Sequence, residues 1–157
     1  CGKNGVTARA ALEQVVPAIP TAAVDIALVA FGVNDTTAFR PVARWREDLH
    51  DVLEALEARC APQLTLLCGV PPIGHFPALP QPLRWIMGLK AQTLDLVVQQ
   101  LAPTRPRTRH IPLLLDTGDA TMMAHDGYHP SAKGCTAWAQ LLADACAAEI
   151  ARELPPR

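Results

Sequence analysis

Two apolar runs constrain this chain more than any other feature: Val24-Asp25-Ile26-Ala27-Leu28-Val29-Ala30-Phe31 and Leu64-Thr65-Leu66-Leu67-Cys68-Gly69-Val70. Near-continuous apolar character over so few residues is the mark of a parallel strand covered on both faces, whereas a strand with one wet face alternates. Between them Arg40 to Arg59 reads as a long amphipathic helix, with Trp45, Leu49, Val52, Leu53 and Leu56 turned inward and charges outward. Thr7 to Ile19 reads as an earlier helix, N-capped by Thr7 and ended by Pro20, with Leu12, Val15, Val16 and Ile19 on one face. Leu83 to Leu101 is a further helix. His110-Ile111-Pro112-Leu113-Leu114-Leu115 is a third strand, placed at an edge by its proline, and Ser131 to Arg152 is the last helix. Strand alternating with helix at this spacing predicts an α/β fold: a parallel sheet between two helical layers, joined by right-handed crossovers, in one domain spanning 1–157.

Composition narrows the partners. With 50% hydrophobic and 18% charged residues the chain can build a core, and a formal net charge of -1 without a sustained Lys/Arg run leaves no footprint for nucleic acid. No apolar run is long enough for a transmembrane helix. The five cysteines, Cys1, Cys60, Cys68, Cys135 and Cys146, lack any CxxC spacing and read as buried thiols.

In a parallel α/β sheet, sites lie beyond the carboxyl ends of the strands. Three segments there carry chemistry: Gly32-Val33-Asn34-Asp35, the Pro71-Pro72 stop with its proline-rich continuation to Pro82, and Asp126-Gly127-Tyr128-His129-Pro130. An ionised Asp126 accepting from one ring nitrogen of His129 would fix the tautomer and leave the other nitrogen to take a proton from a hydroxyl. The amide of Asn34 suits a developing oxyanion, although asparagine after a strand is also an ordinary turn residue. Asp35 is read as a cap for the following helix. His125 adds a second imidazole near His129, but Gly127 and Pro130 make the segment a loop, so no metal site is assigned. His75 and Phe76 are read as substrate-binding residues, Trp85 as a further pocket-lining aromatic; packing of these aromatics on the core is the alternative. The chain's single serine, Ser131, opens the last helix and reads as its N-cap.

Asn4-Gly5-Val6-Thr7 before a helix, Gly32-Val33-Asn34-Asp35 after a strand and Asp126-Gly127-Tyr128-His129-Pro130 before the final helix resemble the second, third and fifth blocks of the SGNH, or GDSL-type, hydrolases, in order and in spacing. The resemblance covers essentially the whole chain. It implies a three-layer α/β/α sandwich of flavodoxin-like type and a serine esterase or acyl hydrolase needing no cofactor, acting on a small-molecule ester. On this chain it implies His129 as general base, Asp126 as its orienting acid, and the Gly5 backbone N–H with the Asn34 side chain as oxyanion donors. The first block, a Gly-Asp-Ser turn, has no counterpart here. The expectation is therefore that the N-terminal strands and the nucleophile lie upstream of Cys1, and that the apolar strand at Val24 is left with an open edge available for pairing. A non-catalytic ligand-binding or interaction module is the alternative reading.

Overall fold

The computed structural model describes residues 2–113 and 119–153. Three parallel strands, β1 (Ile26–Val29), β2 (Leu64–Cys68) and β3 (Thr108–Ile111), lie in chain order, Ile26 paired with Leu64 at one end and Cys68 with Ile111 at the other. Each return to the next strand is made by helix: α3 (Val42–Cys60) between β1 and β2, α4 (Leu83–Leu101) between β2 and β3. Helix α1 (Ala8–Gln14) packs beside α3, and the short α2 (Val33–Thr37) follows β1 directly. Helix α5 (Ala132–Glu153) closes the described chain on the opposite face of the sheet.

The three layers follow from the two-residue period of the strands. Val29 and Leu67 face α1, α3 and α4, where Trp45, Leu49, Val52, Leu94 and Val98 are essentially buried. Leu64, Leu66 and Ile111 face the other way, against Leu142, Ala145, Cys146 and Ile150 of α5. Every residue of β2 is buried, as its apolar sequence requires. A buried indole needs a partner for its N–H, and Trp45 Nε1 donates to the Leu94 carbonyl at 3.1 Å, tying α3 to α4.

Several expectations are corrected. Helix α1 stops at Gln14 and continues as a tight turn at Val16–Ala18, because Pro17 has no N–H to extend the α-helical ladder; Pro20 plays no part in that stop. Among the described residues strand β1 is covered on one face only: Ile26 is 37% and Leu28 52% exposed, since α5 lies over β2 and β3 and leaves the outer strand bare. The third strand begins earlier than expected, at Thr108, and Leu114 and Leu115 lie outside the described residues. Of the cysteines, Cys60 and Cys68 are buried, but Cys135 is exposed and Cys146 half-buried, because α5 turns only part of its surface to the sheet. Burial pushes the Cys68 thiol up to about 12.

Two contacts with α4 fix the loop after β2. Its amide end is held by Asp95 of α4, whose carboxylate accepts from Val70 N–H at 2.8 Å. Farther on, Gly74 meets Gly88 of α4 so closely that a Cβ on Gly74 would lie 3.0 Å from the Gly88 Cα.

Candidate active site

The loop before α5 folds back on itself. Met123 pairs with Pro130 in an isolated antiparallel bridge, and Ala124 N–H donates to the His129 carbonyl at 2.7 Å. Within that loop one carboxylate serves three donors: Asp126 Oδ1 accepts from the N–H groups of Tyr128 (2.9 Å) and His129 (3.0 Å), and Oδ2 lies 2.7 Å from His129 Nδ1. These bonds, that of the His129 side chain foremost, hold the Asp126 carboxyl well below the usual carboxylate range. Asp126 is thus an anion at any ordinary pH, and it presents an acceptor to Nδ1. The remaining ring nitrogen, Nε2, is then the one able to accept a proton.

Gly127 makes the geometry possible. Its φ is +63°, and a Cβ there would come within 2.8 Å of the Ala78 backbone nitrogen, which donates to the Gly127 carbonyl. The loops after β2 and before α5 are therefore pressed together. Their aromatic side chains interlock: Phe76 meets Tyr128 edge to face at a centroid distance of 5.7 Å, and Tyr128 meets the His129 ring at 5.2 Å.

Across the rim, Asn34 sits in the first turn of α2. Gly32 precedes it with φ +118°, and a Cβ there would strike Val70 Cγ2 at 2.5 Å, so only glycine lets this turn lie against the end of β2. Asn34 Nδ2 donates one bond, to the Val6 carbonyl at 3.1 Å, which joins the turn to the loop carrying Gly5 and leaves the second amide hydrogen free of that bond. Asp35 caps a helix, but a different one from that expected. Fully buried, it accepts from Ala8 N–H at 3.1 and 3.2 Å, and so covers the start of α1. Burial pushes its carboxyl up to about 6.

A cavity of about 210 Å³ lies between these loops. Asn34, Phe76 and His129 line it together, with Tyr128, Met123 and Trp138. Asp126 stands behind His129. Gly5 lines an adjoining cavity of about 400 Å³ that runs along β1 and shares Asn34, Pro71 and Trp138 with the smaller one. His75 is not brought to the site: it is exposed and lines neither cavity. Trp85 is 62% exposed and points outward. Ser131 accepts from Gly134 N–H at 3.1 Å and donates to the Thr121 carbonyl at 2.7 Å, the bonds of a helix cap.

Sequence reasoning missed Trp138 and Asn4 as lining residues. Trp138 lies in the second turn of α5, where an apolar residue signals only the helix's core face, yet it lines the cavity. Asn4 carries no signal apart from its neighbour Gly5. Tyr128 was missed as well, although it lies between the two residues of the pair.

The family model described as GDSL-like Lipase/Acylhydrolase family matches residues 1–137. The chain belongs to the GDSL-like lipase/acylhydrolase family. Solved structures agree on the fold of this GDSL-like domain. A Streptococcus pneumonia protein provisionally described as a platelet activating factor superposes with a TM-score of 0.74 at 21% identity, over 89% of this chain and 68% of that one. The psychrotrophic esterase EstA from Pseudoalteromonas sp., in a structure inhibited by monoethylphosphonate, gives 0.67 at 18% identity, over 91% and 72%. A GDSL-like lipase from Bacteroides thetaiotaomicron gives 0.63 at 18% identity, over 90% and 71%. No curated protein matches the sequence. At these identities the likeness carries the three-layer fold of the GDSL-like domain, and the family match carries its membership.

Proposed function

We propose that this GDSL-like domain cleaves small carboxylic esters through a serine acyl-enzyme, with the serine on a segment not among these 157 residues. The observation that carries the reading is the 2.7 Å contact of His129 Nδ1 with Asp126, in a loop whose imidazole shares one cavity with Asn34. In this mechanism His129 Nε2 takes the serine proton as Oγ attacks the acyl carbonyl. The tetrahedral oxyanion receives the Gly5 N–H and the second N–H of Asn34, donors held in place before the reaction starts. The imidazolium then protonates the leaving alkoxide, and on return it deprotonates the water that releases the acid. Phe76, Met123 and Tyr128 give the cavity an apolar wall suited to the substrate's hydrocarbon part. Inhibition of EstA by a phosphonate supports a nucleophile of the same kind here.

In the same reading, the strand that brings the serine pairs with β1, the outer strand of the described sheet. The test compares this chain with one extended at its N-terminus by its own reading frame, each treated with a fluorophosphonate probe. The chain of 157 residues is expected to stay unlabelled, and the extended one to be labelled at a serine ahead of Cys1. In the extended chain His129→Ala should lower kcat by roughly three orders of magnitude or more, and Asn34→Ala by about two to three. Stoichiometric labelling of Ser131, or normal turnover of the His129→Ala protein, would overturn the assignment.

A further inference from the structure

The exposed positions of α4 are uncharged, and its Arg84, Lys90 and Asp95 are half-buried. Each exposed position from residue 83 to 100 is Leu, Trp, Ile, Gln or Thr. Its neighbour α3, of equal length, exposes Arg44, Arg46, Glu47, His50, Asp51, Glu54 and Glu57. A helix with nineteen residues and no charge at its exposed positions departs from the usual amphipathic pattern. On that face Leu89 and Leu96 are 45% and 52% exposed, Trp85 62% and Ile86 40%.

The spacing is more specific than the composition. Trp85, Leu89, Gln92, Leu96 and Gln99 succeed one another by four, three, four and three residues, which is the seam of a two-helix coiled contact, with Ile86 flanking it. We propose that this seam is where a second copy of the chain docks, α4 against α4, antiparallel about a two-fold axis at Gln92.

Three features favour a second copy over another occupant. An isologous contact sets a face against itself, so a face of one sign would repel its mate; none of the exposed positions of α4 is charged, and the part-buried Asp95 carboxylate beside Gln99 is already bonded to Gln99 Nε2 at 2.7 Å and to Val70 N–H at 2.8 Å. The seam is close to symmetric about its middle: with Gln92 opposite its symmetry mate, Trp85 of each copy lies level with Gln99 of the other, and Leu89 and Leu96 come within one residue of level. A Gln side chain can donate to and accept from its own mate, which fixes the register without a second residue type. Helix α4 is about 28 Å long, enough for a continuous seam, though one helix pair with its margins lies at the small end of the roughly 800 Å² per partner of a stable contact. The dimer should therefore be reversible and concentration-dependent.

Sedimentation of the chain from micromolar to sub-millimolar concentration tests this. The expected result is a shift to twice the monomer mass, abolished by Leu89→Glu with Leu96→Glu and preserved by Leu28→Lys on the β1 edge. All three positions are exposed, so the far-UV spectrum and Tm check that the variants stay folded. As a second measurement, Gln92→Cys in a Cys1→Ser, Cys135→Ser background should crosslink copy to copy under mild oxidation, whereas Gln99→Cys should not. A monomer at every concentration, a dimer that survives the double glutamate variant, or a monomer that binds phosphatidylcholine vesicles through Leu89 and Leu96 would each overturn the proposal.

Discussion

Asp35 shows how a residue beside the candidate site shapes the pH response of the whole chain. Its folded carboxyl sits near 6, raised chiefly by burial, against an ordinary value of 3.8. Between those two pH values the folded state binds a proton that the unfolded state has released. Stability from this group is therefore complete below about pH 4 and declines as pH rises toward 6. Asp35→Asn keeps an oxygen for Ala8 N–H and has no charge to bury, so that declining component should vanish from urea unfolding curves collected from pH 4 to 7. A wild-type and variant difference that stays flat over that range would contradict the linkage. Asp35 also marks what the sequence could not convey. An aspartate after Asn34 was legible as a cap, but the helix it serves begins 27 residues earlier in the chain, and no local pattern records that distance. The Asp126 and His129 pair was legible because its members are three residues apart, where loop geometry alone brings them together.

Elements were easiest to read where period and punctuation agreed. The bounds of α4 coincide with expectation, and α3 is shifted by one or two residues, because long amphipathic stretches meet clear stops. Helix α2 went unread, being only five residues long and buried at Asp35 and Thr36 by contacts distant in sequence. Two element ends make sharp predictions. Ser131→Ala removes the cap of α5 and should cost about 1 kcal/mol in unfolding free energy. Turnover of the extended chain should be unchanged by that substitution, a result that separates a cap from a nucleophile. At the end of β2, Asp95→Ala takes away the acceptor for Val70 N–H, and thermal unfolding should register a loss of roughly 1–3 kcal/mol. An unaltered Tm would mean that the loop finds another partner for that amide.

For the whole molecule, the parallel sheet between helical layers and the edge position of the third strand were legible, because continuous apolar runs separated by helical periods leave few arrangements. The bare face of β1 was not, since which strand a helix covers depends on crossing geometry rather than on period. Leu28→Lys should lower light scattering during refolding while leaving the unfolding midpoint in place, because Leu28 is half exposed and lies on the apolar face of an edge strand. The meeting of Gly74 with Gly88 has a different reach. Two backbones in contact leave no side chain to trim, so the wall that carries Phe76 cannot be moved outward by substitution at its anchor. Under the proposed function, room for a bulkier acid has to be made from the inside of the cavity, at Phe76 or Met123.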